Sequence, residues 1–141
     1  MKYYVGEAIY DCTVRQGIKV LDEKYYRLKH KEDKYCLLLL ERDSNYDVLY
    51  VDDNGWKSVV YFELVEDDKL YIVDVAPLYI NEGIGTNAFN LLFNYIRQTN
   101  LIKKIYGRTS PIDDQHADRK EHFFNKLGLT IDGRRISRVF K

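Results

Sequence analysis

The sequence predicts a mixed α/β (α+β) domain built around one central sheet. Three observations carry that expectation. Residues 47–76 form apolar, β-prone runs separated by turn signals, the pattern of an antiparallel meander. Residues 84–99 place Ala88, Leu91, Leu92, Tyr95 and Ile96 at spacings of three and four, which marks an amphipathic helix. A strand, a helix and a hairpin then follow, so strands and helices share one core.

Residues 2–10, rich in Tyr and Val, read as a first strand. Residues 14–42 mix charges with apolar pairs at helical spacing, as in Val20, Leu21, Tyr25 and Leu28, and predict two short helices. Within them Tyr35 to Leu40 suits either a helix or a buried strand, because periodicity alone does not separate the two. Strands at 47–52 and 56–65 meet at Asp53-Asn54-Gly55, where Asn-Gly supplies the positive φ angles of a type I′ hairpin. Glu66-Asp67-Asp68 turns the chain into a strand at 69–76, which Pro77 ends because it has no N–H for the ladder. After the helix at 84–99 comes a strand at 102–107. Asp113 or Asp114 caps a second helix running to about Leu127, with Gly128 as its C-cap. Residues 129–132 and 134–140 close the domain as a hairpin around Asp132-Gly133.

The chain has 141 residues, enough for a single core, and is read as one domain over 1–141. Its 22 basic residues balance 22 acidic ones, which argues against a nucleic-acid partner. Charge is unevenly spread: residues 134–141 carry four positive charges and no negative ones, and residues 63–68 carry four negative ones. The basic stretch suits a phosphorylated cofactor or a charge-protected edge strand. Cys12 and Cys36 stand apart from any metal-ligand spacing and read as buried free thiols, so no metal site is expected. The thirteen tyrosines either fill the core or line a groove or subunit contact. The N-terminus meets acid and Gly too early for a signal peptide, and the longest apolar run, Cys36 to Leu40, is too short for a bilayer. A soluble cytoplasmic protein without a membrane partner is expected.

The chemistry-bearing motif is a strand ending at Pro77, a loop, then Gly83-x-Gly85 opening the long helix. The first turn of a helix offers unpaired N–H groups and partial positive charge. Glycines let an anion approach them closely. No Lys-Ser/Thr follows, so it is not a Walker P-loop; Ala88 and the antiparallel meander rule out the dinucleotide fingerprint.

Val75-Ala76-Pro77 followed by Ile80-Asn81-Glu82-Gly83-Ile84-Gly85-Thr86 resembles the acyl-CoA motif of GNAT (Gcn5-related N-acetyltransferase) enzymes. Their strand ends in Val-x-Pro and their helix opens on Gln/Arg-x-x-Gly-x-Gly/Ala, with the same eight-residue step as from Val75 to Gly83. Phe123-Phe124-Asn125-Lys126-Leu127-Gly128-Leu129 resembles the family's FYxKxGF segment, and residues 109–128 resemble a subgroup of small bacterial members. The resemblance covers 47–140 and implies a GNAT-like fold: a mixed sheet of six to seven strands, splayed between the fourth and fifth, flanked by about four helices. It implies acetyl-CoA as cofactor, a small-molecule or protein amine as acceptor, and a possible homodimer.

On that resemblance, Val75, Ala76, Ile80, Asn81, Glu82, Gly83, Ile84, Gly85 and Thr86 hold the cofactor, with Asp74 beside the thioester site. Ser110, Arg119, Phe123, Phe124 and Lys126 are the further candidates for cofactor contact. The base candidates are Asp74, which sits in the otherwise apolar strand Ile72-Val73-Asp74-Val75, then Glu63 on the preceding strand, then His116. Two positions depart from the family: Ile80 replaces Gln/Arg, and Phe124 replaces the Tyr that many members use as acid toward the thiolate. Three functions are therefore weighed: a catalytic N-acetyltransferase, a non-catalytic CoA-binding sensor or interaction module, and a toxin acetylating charged tRNA, which zero net charge disfavours.

Overall fold

The computed structural model describes residues 18–27, 34–52, 55–75, 83–108 and 117–140. Its strands are β1 (Lys19–Arg27), β2 (Lys34–Arg42), β3 (Asn45–Asp52), β4 (Gly55–Val65), β5 (Lys69–Val75), β6 (Lys104–Arg108), β7 (Thr130–Asp132) and β8 (Arg135–Val139). Two helices interrupt them, α1 (Ile84–Thr99) and α2 (Ala117–Lys126). The eight strands form one sheet in the order β1-β2-β3-β4-β5-β6-β8-β7. Every neighbouring pair is antiparallel except β5–β6, which α1 connects in parallel. This is a mixed α+β architecture, dominated by its sheet.

The expected helices within 14–42 are replaced by a β-hairpin. Lys19 pairs with Glu41 at one end and Arg27 with Lys34 at the other. The apolar run of β2 explains the difference. Tyr35, Leu37 and Leu39 enter the main core, while Cys36, Leu38 and Leu40 join Leu49 and Val51 in a second cluster on the opposite face. A strand buried on both faces has no polar alternation to betray it. The sheet thus has eight strands where six to seven were expected, and two helices, where about four were expected, lie among the described residues. The expected strand at 2–10 lies outside those residues.

The meander 47–76 stands as β3, β4 and β5, and α1 spans the expected 84–99. Asp52 pairs with Gly55, so Gly55 opens β4 and is not the second residue of the turn. Ile102 is buried ahead of β6, which begins two residues later than expected. Gly128 ends α2 at φ 79, a left-handed angle that glycine adopts at little cost, and Leu129 N–H donates to the Phe124 carbonyl at 3.0 Å. Both helices pack on one face of the sheet around Phe89, whose ring lies 5.6 Å from Phe62, 5.8 Å from Phe93 and Phe123, and 6.4 Å from Phe124. Residues facing the other way on β4, β5, β6 and β8 form an open face without a described helix over it.

Candidate functional site

The parallel ladder between β5 and β6 is short. Among the described residues it runs from Lys69 opposite Lys104 to Ile72 opposite Gly107, with no pair beyond. β5 continues for three more residues and β6 for one. A β-carbon on Gly107 would lie 2.9 Å from the Ile72 β-carbon, so glycine is required where the two strands pair last among the described residues. β5 and β6 are the fourth and fifth strands of the sequence reading, displaced by one in number because β1 and β2 are added and the expected strand at 2–10 lies outside the described residues.

A bulge shapes this end. Tyr61 pairs with Asp74 and Phe62 with Ile72, leaving Val73 as the extra residue. Leu70 and Ile72 face the core, and so does Val75. Asp74 stands opposite Tyr61 on the open face and is exposed, as is Val73. The apolar stretch around Asp74 had suggested an enclosed carboxylate; the bulge turns it to solvent instead. Glu63, also exposed on that face, pairs with Tyr71, roughly 7 Å further from the parting end.

α1 begins beside this end in sequence. Gly83 is its N-cap at φ 77 and ψ −2, with no side-chain capping bond and no acidic residue in the first turn. Asn87 N–H donates to the Gly83 carbonyl at 3.1 Å, which closes the first turn. The amides ahead of Asn87 have no partner within the helix. Among the described residues, a β-carbon on Gly83 would meet nothing within 4 Å beyond its chain neighbours. Ile84 and Gly85 are buried, and Thr86 is half-buried. The Ile84 side chain therefore serves the core, leaving only its backbone for a ligand.

A row of tyrosines adjoins that turn. Asn87 Nδ2 donates to the Tyr35 hydroxyl at 2.9 Å. The Tyr35 ring stacks between Tyr26 at 5.3 Å and Tyr50 at 5.2 Å. Tyr50 donates to Asp52 Oδ2 at 2.9 Å. Burial pushes the Tyr26 phenol up to about 12 and raises that of Tyr35, against which the Asn87 bond pulls. Both hydroxyls keep their protons at neutral pH, and that of Tyr35 accepts the Asn87 amide. The helical reading of residues 14–42 hid this row; a strand reading of Tyr25 to Tyr35 would have exposed it.

The remaining candidates divide. Phe123 and Phe124 are buried in the aromatic core, and Lys126 is exposed on α2. Ala76, Ile80, Asn81, Glu82, Ser110 and His116 lie outside the described residues, as does the side chain of Arg119. Cys36 is a buried free thiol whose pKa burial pushes up to about 11; Cys12 lies outside the described residues. Among the described residues, no group of three or more His, Cys, Asp or Glu side chains is placed to hold a metal, and no helix is long and apolar enough to cross a membrane.

No protein-family model matches the chain, and no curated protein matches it. Among solved structures, a domain from Methanocaldococcus jannaschii DSM 2661 is similar at 17% identity with a TM-score of 0.47, covering 68% of this chain; the chain spans 66% of that domain. The anti-CRISPR protein AcrVA5 is similar at 17% identity with a TM-score of 0.38, covering 84% of this chain and 99% of its own. Likenesses this faint assign no function to the chain.

Proposed function

We propose that the chain is a GNAT-type N-acyltransferase that moves an acetyl group from acetyl-CoA to a primary amine. The observation that carries this reading is a coincidence at one end of the sheet. Among the described residues the β5–β6 ladder stops at Ile72 and Gly107, and the chain leaving β5 returns as a helix without a side-chain capping bond, behind left-handed Gly83. In this reading the two strands diverge past that point and their backbone groups bind an extended arm. The helix start provides open amides for a pyrophosphate. Ile80 does not weaken this reading, because backbone amides supply the contacts. Bound acetyl-CoA would supply an activated thioester.

The chain's own part is positioning and proton handling. The amine nitrogen bonds to the acyl carbon, the carbon–sulfur bond breaks, and its electron pair leaves on sulfur. Asp74, exposed beside the gap, takes the amine proton, directly or through a water. Glu63 is the second candidate, set further back on the same face. A backbone N–H near Val75 faces the developing oxyanion in this reading.

A second reading, the non-catalytic CoA-binding module, is favoured by Phe124. Its ring is enclosed by Phe89 and Phe123, so that position brings no hydroxyl to a leaving thiolate. Calorimetric titration with acetyl-CoA, followed by measurement of free CoA release across a panel of amines, separates the two. Binding with amine-dependent release supports the enzyme; binding without release supports the module.

A further inference from the structure

Past Gly107 the open face carries two arginines side by side. Arg108, the last residue of β6, pairs with Arg135, the first of β8. Ile105 and Ile136 enter the core, so alternation sends Arg108 and Arg135 to the opposite face together with Tyr106 and Ser137. Both arginines are exposed. Like charges directly opposite each other destabilise an antiparallel pair unless something neutralises them. Asp132 is Arg135's partner on β7, yet no ion pair among the described residues engages either arginine. The Lys69–Glu66 pair, at 3.0 Å, sits at the far end of β5.

Asp74 occupies the same face and the same end of the sheet, where β5 leaves β6. α1 packs on the other face, so an anion held at its first turn lies across the sheet from the arginines. Two guanidinium groups present planar donor forks that match a carboxylate or phosphate. We propose that Arg108 and Arg135 form an oxyanion site for a carboxylate or phosphate group of the amine acceptor, which places its amine toward Asp74. The assignment to an acceptor rests on the acyl-transfer reading; the oxyanion site itself does not.

Inorganic phosphate is the probe. The melting temperature of the full chain is followed with increasing phosphate at constant ionic strength, for the wild type, Arg108→Ser and Arg135→Ser, with and without saturating CoA. The wild type should rise by a few degrees, with or without CoA. With CoA saturating, so that the first turn of α1 is already occupied, each variant should lose that shift and, without phosphate, melt no lower than the wild type, because repulsion has been removed. CoA affinity should stay within about threefold in both variants, as expected for separated sites. A wild type indifferent to phosphate, or variants that respond like it, would overturn the proposal. Displacement of phosphate by CoA would assign the pair to the cofactor and also overturn it. A wild type that binds phosphate but not CoA would remove the acyl-transfer reading, and the acceptor assignment with it, while leaving the oxyanion site standing.

Discussion

Asp74 and Asp47 show how differently two carboxylates of one sheet are used. Asp74 is exposed beside the strand gap, so Asp74→Asn should change stability by no more than about 0.5 kcal/mol. If Asp74 takes the amine proton, kcat should fall by about 10²–10⁴ while CoA affinity holds. Undiminished turnover would move the base to Glu63 or His116. Asp47 pairs with Tyr61 and accepts the Ser58 hydroxyl at 2.6 Å. Burial nevertheless raises its carboxyl above the ordinary 3.8, overcoming the Ser58 and Val48 hydrogen bonds that pull it down. The folded chain therefore holds this proton more tightly than the unfolded chain. Its contribution to stability is full below 3.8 and is lost as pH rises through the raised value. Asp47→Asn cannot ionise and keeps an acceptor for Ser58. Urea unfolding at about pH 4 and about pH 7 should show the variant gaining on the wild type at the higher pH. A stability difference that does not change with pH would contradict this.

At the scale of elements, the close pairing of β5 and β6 at Ile72 depends on Gly107. Gly107→Ala puts a β-carbon 2.9 Å from that of Ile72, where backbone must move to admit it. The expected cost is about 1–3 kcal/mol, read from the denaturant midpoint. A neutral effect would mean the strands already separate before Ile72. This close contact was not visible in the sequence, where Gly107 read only as the end of a strand. Nor were the bulges at Val59 and Val73, since an extra residue in a ladder leaves no mark of composition. The long helix was legible because one stripe of it is buried and the rest is polar. β2 was not, because Leu37 to Leu40 are buried on alternating faces and show no period at all. Gly83 was legible as the residue that opens the long helix, since its conformation is local. The Tyr26–Tyr35–Tyr50 row was not, because it depends on register between three strands.

At the scale of the molecule, one face of the sheet is committed to α1, α2 and the phenylalanine cluster, while the other leaves Tyr61, Asp74, Arg108 and Arg135 accessible. A net charge of zero provides no general attraction for nucleic acid, so binding must come from local groups. The acyl-CoA reading places those groups at the end where β5 leaves β6 and the chain turns back as α1. The most direct test is calorimetric titration of acetyl-CoA into the full chain and into Gly83→Glu. Glu at Gly83 carries about 1–2 kcal/mol of left-handed strain at φ 77 but meets no described atom within 4 Å of its β-carbon, and its carboxylate sets a negative charge before the first-turn amides. The account predicts saturable one-site binding by the wild type, weakened at least about tenfold in a variant that keeps the wild-type circular dichroism spectrum. No binding by the wild type, or equal affinity in the folded variant, would contradict it.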